Sequence, residues 1–185
     1  MPNIIKGHLT DQDKQCLRAI SVDRKVIVDL GTYHGLSASI LAENAGHVTT
    51  IDIFEDYNDI KDIGSRAHYD DLFREEPHFY MGVVRILQGI SNITVKKDFT
   101  YRAANDFNKN SVDLLFIDAD HSFLGVNRDV DSWESKIVPT GLIAFHDSNN
   151  ENWSVSSYLR TEFNFKKNYE KILTGGSISV YKKVF

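Results

Sequence analysis

The chain has 185 residues, 42% of them hydrophobic and 25% charged, which suits one globular domain with one sizeable core. A formal net charge of -5 argues against a broad basic face for nucleic acid. The single cysteine, Cys16, excludes an intramolecular disulfide. No apolar run approaches the roughly 20 residues that span a bilayer, and the opening MPNIIKGHLTDQDK lacks the apolar core of a signal peptide, so a cytoplasmic location without membrane contact is expected.

Helix-like and strand-like segments alternate, the pattern of a parallel α/β sheet. Thr10 is a good N-cap for a first helix through Cys16, Leu17 and Ile20, where Cys16 reads as a buried, inert thiol. Residues 25–30 (KVIVDL) form an apolar run that stops at glycine, as a buried first strand does. A helix over 36–45 follows, with Leu36, Ile40 and Leu41 on one face and Gly46 as its stop. Residues 48–53 read as a second strand. Residues 93–97 read as a third, followed by a helix carrying Tyr101, Ala104 and Phe107. Residues 112–117 (VDLLFI) give the clearest strand, and Val126, Val130, Trp133 and Ile137 then repeat at helical spacing. Pro139-Thr140-Gly141 predicts a turn into a fifth strand over 142–146. A helix over 154–163 and a hairpin turning at Gly175-Gly176 complete the chain.

The stretch 54–90 exceeds what one crossover needs. A helix over about 77–88 is expected within it. The remainder reads equally as a lid over a substrate pocket or as a surface insertion, and its acids Glu55, Asp56, Asp59 and Asp62 read as a solvated helix face.

The chemistry concentrates at strand ends. After the first strand comes DLGTYHGLS, in which Gly31 and Gly35 let the backbone turn sharply and approach a ligand, with the next helix aiming its N–H groups at it. The glycine spacing is GxxxG, not the GxGxxG of a dinucleotide loop, and no Lys-Ser/Thr pair follows as in a P-loop. Asp52 lies 21 residues beyond Gly31, at the end of the second strand. An acid there caps the turn or accepts both ribose hydroxyls of an adenosine, and the glycine loop upstream favours the ribose. Asp29 either holds the loop or faces the cofactor's amino group. The fourth strand ends IDADH (117–121) and the fifth FHDSNN (145–150). Ligands of open parallel sheets bind beyond such strand ends, and carboxylates from two adjacent ends can share a hard divalent cation. His34 and His78 are weaker candidates, and His146 reads as a hydrogen-bonded structural histidine.

Across nearly its whole length the pattern resembles the class I S-adenosylmethionine-dependent methyltransferases. The loop DLGTYHGLS is similar to the G-T-x-x-G-x-S form of small-molecule O-methyltransferases of the sugar, catechol and caffeoyl-CoA types, and IDADH is similar to their V-D-A-D-K segment. The resemblance implies a Rossmann-like, seven-stranded, mostly parallel sheet in the order 3-2-1-4-5-7-6, with helices on both faces, in a single domain over 1–185. It implies cofactor contacts from Asp29, Gly31, Thr32, Tyr33, Gly35 and Ser37, with Asp52 on the ribose, Asp98 near adenine, and Asp118 also at the cofactor. It further implies Asp118 and Asp147 as ligands of Mg²⁺ or another divalent cation, with Ser148 at a third ligand position usually held by Asn, and His121 as the base. An ordinary histidine, with a pKa of about 6.5, suits proton removal from a hydroxyl near neutral pH. The expected activity is O-methylation of a small hydroxylated acceptor. The fold suggests a homodimer through the 54–90 insertion or the first helix. Two other readings remain open: an NAD(P)-dependent Rossmann-fold oxidoreductase, and a non-catalytic cofactor-binding module. A nucleic-acid methyltransferase is disfavoured, since neither an acid-Pro-Pro-aromatic signature nor a basic stripe is present.

Overall fold

The computed structural model describes residues 5–54, 72, 74–76 and 78–184. The lid reading and the acidic run of 55–62 concern residues outside those described. Among the described residues no helix is long and apolar enough to cross a membrane.

Helix α1 (Asp11–Ser21) starts where its cap predicts. Thr10 Oγ1 accepts the Asp13 N–H at 3.2 Å, and Asp13 Oδ2 accepts the Thr10 N–H at 2.8 Å, a reciprocal capping box. Among the described residues seven strands follow: β1 (Val26–Leu30), β2 (His47–Asp52), β3 (Ile93–Lys97), β4 (Val112–Ile117), β5 (Ile137–Phe145), β6 (Tyr169–Gly175) and β7 (Ile178–Lys183). They form one sheet in the order β3-β2-β1-β4-β5-β7-β6. The first five run parallel and β7 is antiparallel to both β5 and β6, as expected for the Rossmann-like arrangement. The helices between them are α2 (Leu36–Ala42), α3 (Phe79–Leu87), α4 (Thr100–Ala103), α5 (Phe123–Trp133) and α6 (Ser154–Thr161).

The two-residue period of a strand divides the core into two. Ile27, Leu114, Phe116, Leu142 and Ala144 pack on one face with Leu17 and Ile20 of α1 and Ile40 and Leu41 of α2. Val28, Leu30, Leu115, Ile117, Ile143 and Phe145 pack on the other with Val126, Val130 and Trp133 of α5 and Tyr158 and Leu159 of α6. β1 and β4 are covered on both sides, which is why they read as continuous apolar runs rather than alternating ones. Cys16 is buried on the α1 side of the core, as expected, and burial pushes its thiol up to about 11.

Several boundaries differ from the sequence reading, each for a local reason. α2 ends at Ala42, not 45, because the Asn92 amide donates to the Ala42 and Ala45 carbonyls at 3.0 Å each and takes over the helix end. α4 is a single turn continued by a 3₁₀ turn over Ala104–Asp106. Phe107 then leaves in an extended conformation and its ring packs 4.9 Å from Trp133. Pro139-Thr140-Gly141 is not a turn before β5 but an irregularity within it. Val112 pairs with Ile137 and Leu114 with Leu142, and the extra residues are absorbed at Thr140, whose φ is 67°. In the hairpin, Gly175 still pairs with Ile178, so Gly176 (φ 64°) and Ser177 make the turn. Asp13 Oδ1 holds that turn by accepting the Ser177 N–H at 2.7 Å and its hydroxyl at 2.9 Å.

Register brings the chemical residues to one level. Leu30 pairs with Ile51 and with Ile117, and Ile117 with Phe145. Gly31, Asp118 and His146 therefore lie one step past the carboxyl ends of β1, β4 and β5, level with Asp52 at the end of β2, around the point where the strand order reverses.

Candidate active site

Gly31 and Gly35 both have positive φ, 98° and 90°. At Gly31 the reason is close approach as well: a Cβ there would lie 2.0 Å from the Asp118 carbonyl oxygen, so the loop after β1 rests directly on the end of β4. Tyr33, between the two glycines, has a φ of 45°. Its strain is offset by its own N–H, which donates to Asp52 Oδ2 at 2.9 Å. The other oxygen of Asp52 accepts the Phe54 N–H at 2.9 Å, which fixes the carboxylate at the cavity wall. The Tyr33 ring packs against His34, His8 and Phe79.

Asp29 lies beneath the loop rather than in the cavity. Its Oδ2 accepts the hydroxyls of Thr50 at 2.7 Å and Ser37 at 3.1 Å, and Thr32 Oγ1 lies 2.7 Å from Thr50 Oγ1. Asp29 Oδ1 is buried with no partner. Burial pushes this carboxyl up to about 7, with the nearby Asp118 and Asp52 adding to it against the Thr50 and Ser37 hydrogen bonds. Between about pH 4 and 7 the folded chain holds a proton that the unfolded chain has released, so stability falls as pH rises through that window. Each pKa unit is worth about 1.4 kcal/mol. Asp29→Asn is therefore expected to raise the urea midpoint at pH 8 and to lose most of that advantage at pH 5. An equal effect at both pH values would show that Asp29 is ionised throughout.

Four side chains converge at the ends of β4 and β5. Asp118 Oδ1 lies 3.2 Å from His121 Nε2 and 3.0 Å from His146 Nδ1. Asp147 Oδ2 lies 3.3 Å from the same His121 nitrogen and 3.4 Å from the same His146 nitrogen. One ligand atom from each residue falls within 4.8 Å of all the others, so the group can hold a metal ion. Adjacent donors bound at about 2.0–2.2 Å to one cation sit roughly 3 Å apart, the spacing seen. Burial works against charge in this cluster, but the pairing outweighs it. The His146 and His121 imidazoles hold the Asp118 carboxyl well below the usual carboxylate range, and Asp147 is lowered mainly by His146. Asp118 and Asp147 raise His146 to about 11 and raise His121 as well. The ring of Trp153 packs 4.9 Å from His121.

A single cavity of about 470 Å³ joins the two halves. Gly31, Thr32, Tyr33, Ser37 and Asp52 line one side, and Asp118, His121, His146, Asp147 and Trp153 the other. Gly7, His8 and Leu9 also line it, a contribution from the segment before α1 that no sequence motif marks.

Besides Asp29, three predicted residues sit away from the cavity. Asp98 does not line the cavity, and its Oδ1 accepts the Arg102 Nε at 2.6 Å, one turn on, and the Phe99 N–H at 2.9 Å. Gly35 serves the turn and the start of α2. Ser148 stands apart from the four-residue group: its hydroxyl donates to the Ser177 carbonyl at 2.7 Å and accepts the Ser179 hydroxyl at 2.8 Å. The residue that joins Asp118 and Asp147 instead is His146, which the sequence reading had as structural. The signal for it is strand parity. Leu142 and Ala144 face the α1 side of the sheet, so His146 continues onto that face, towards Asp13.

The family model described as a methyltransferase domain matches residues 28–148, from β1 to just past the end of β5. The chain belongs to the methyltransferase-domain family. A curated relative of this methyltransferase-domain chain, protein y4gI of Sinorhizobium fredii, is 27% identical over 128 residues. The match takes in 66% of this chain, which spans only 13% of that relative's length. Among solved structures, the O-methyltransferase TomG from Streptomyces achromogenes, determined with S-adenosylmethionine, superposes with a TM-score of 0.67 at 10% identity, over 96% of this chain and 82% of TomG. Cofactor-bound Rv0187 from MTB gives 0.65 at 13% identity, over 99% and 84%. An rRNA methylase from Streptococcus thermophilus gives 0.56 at 10% identity, over 97% and 100%. At these identities the likeness is one of fold.

Proposed function

We propose that this chain binds S-adenosylmethionine at the loop after β1 and transfers its methyl group to a hydroxyl of a small acceptor held over Asp118, His121 and Asp147. The observation that carries this reading is the one cavity shared by the glycine turn, Asp52 and the acid-histidine cluster. Cofactor and acceptor can meet there without leaving the protein. TomG, bound to S-adenosylmethionine, and cofactor-bound Rv0187 share the fold that brings these elements together, which supports the cofactor assignment.

Each residue has a task that its position permits. Asp52, fixed by the Tyr33 and Phe54 N–H groups, keeps lone pairs for two ribose hydroxyls. Gly31 lets the backbone lie close to the methionine part. Asp118 and Asp147 hold a divalent cation. Bound together, S-adenosylmethionine supplies a methyl on a cationic sulfonium, and the cation lowers the pKa of the acceptor hydroxyl. His121 Nε2 takes the hydroxyl proton as the acceptor oxygen bonds the methyl carbon and the carbon–sulfur bond breaks, so an ether and S-adenosylhomocysteine result. Orientation supplies much of the rate in such an in-line displacement.

A small acceptor is favoured over RNA because the net charge is -5, which gives no excess of cations to hold a phosphate backbone. Incubation with S-adenosylmethionine, Mn²⁺ or Mg²⁺ and a panel of catechols and sugars is expected to release S-adenosylhomocysteine with at least one hydroxylated acceptor. Release with RNA and with no small hydroxyl compound would overturn the small-acceptor reading.

A further inference from the structure

We infer that His146 Nδ1 is the third protein ligand of the cation, in the place that Ser148 was expected to fill, and that the site is thereby built for a first-row transition ion rather than Mg²⁺. This rests on the reading above that Asp118 and Asp147 hold a cation.

Three observations carry it. First, His146 Nδ1 lies 3.0 Å from Asp118 Oδ1 and 3.4 Å from Asp147 Oδ2, so the three donors make a compact triangle that one ion can cap. A hydrogen on Nδ1 points along one direction, and it cannot serve both carboxylates well. An ion between the three satisfies all of them. Second, the Ser148 hydroxyl is committed to the β6–β7 turn on both its donor and acceptor sides, so the residue that follows Asp147 is withdrawn from the site. Third, His146 is 7% exposed, and its other nitrogen, Nε2, is buried without a hydrogen-bond partner, 3.8 Å from Asp13 Oδ2. Asp13 is fully buried and pinned by Thr10 and Ser177. A carboxylate facing the far nitrogen of a ligating histidine places the proton on that nitrogen and leaves the near one free for metal.

The donor set decides the ion. Mg²⁺ favours oxygen ligands and keeps much of its water, whereas imidazole nitrogen suits the later first-row ions such as Fe²⁺, Ni²⁺ and Zn²⁺, with Co²⁺ between Fe²⁺ and Ni²⁺ in the affinity order. Asp13 acts through His146 and is a positioning residue. The same Asp13 caps α1 and holds the hairpin turn, so the metal site is tied to the packing of α1 against β6 and β7.

The test reads metal binding directly. Metal-free protein is titrated with Co²⁺ and, separately, with Mg²⁺ by calorimetry, and the wild type is expected to bind Co²⁺ at one site at least tenfold more tightly than Mg²⁺. His146→Gln is expected to weaken Co²⁺ by tenfold or more while S-adenosylhomocysteine binding stays within about twofold. Unchanged Co²⁺ affinity in that variant, or equal affinity for Mg²⁺ in the wild type, overturns the inference and leaves the methyl-transfer reading standing. If His146→Gln does not fold, pulsed electron paramagnetic resonance of Mn²⁺ in the His121→Ala protein decides. Nitrogen modulation there supports His146 as ligand, and its absence overturns the assignment. Failure of the wild type to bind any divalent cation would sink both this inference and the cation's part in the proposed reaction.

Discussion

His121→Ala is expected to lower kcat by about 10²–10⁴, the usual worth of a positioned general base, while the dissociation constant for S-adenosylhomocysteine stays within about twofold. The separation follows from where His121 sits. It lies on the acceptor side of the cavity, beside Asp118, Asp147 and Trp153. Its backbone carbonyl accepts the Ser154 N–H at 3.1 Å, a bond that alanine keeps, so the start of α6 is preserved. Added imidazole is expected to restore part of the rate by supplying the missing base. Parallel loss of turnover and cofactor affinity would mean that the ring is structural. Parallel loss of turnover and Co²⁺ affinity would make His121 a metal ligand instead of the base.

Gly31→Ala is expected to cost on the order of 3 kcal/mol of stability and more than tenfold in cofactor affinity. Two causes act together. The residue adopts φ 98°, which a Cβ disfavours, and that Cβ would meet the backbone carbonyl of Asp118 at 2.0 Å. A carbonyl at the end of a central strand cannot swing aside as a side-chain tip can, so the loop or the β4 end must move. Either movement separates the cofactor loop from Asp118. A urea midpoint and an S-adenosylhomocysteine affinity both equal to wild type would show that the close approach is not needed.

Much of this was legible in the sequence because it is local. The glycine turn, the apolar strands and the acids that follow them are adjacent in the chain, and the right strand order places Asp52 and Asp118 beside that turn without further information. What was not legible depends on contacts across long separations. Ser148 follows Asp147 as a ligand should, but the hairpin near its far end claims its hydroxyl through Ser177 and Ser179. No local pattern announces that pairing. Asp98 directly follows β3, yet Arg102 one helical turn later engages it on the surface. Conversely, His146 reads as a structural histidine because the strand residues just before it, Ala144 and Phe145, are core residues. Only its face of the sheet, opposite Phe145 and next to Asp13, sends it to the carboxylates. Gly7, His8 and Leu9 escaped notice for the same reason: they reach the cavity by folding back before α1, not through any motif of their own.

The central claim, that the loop after β1 and Asp52 hold an adenosine carrying a methyl sulfonium, is tested most directly by calorimetry of the purified chain with S-adenosylmethionine, S-adenosylhomocysteine and NAD. The account predicts one site with micromolar-range affinity for both adenosyl compounds, and no heat with NAD. No heat with either adenosyl compound, or binding of NAD in their place, would contradict it.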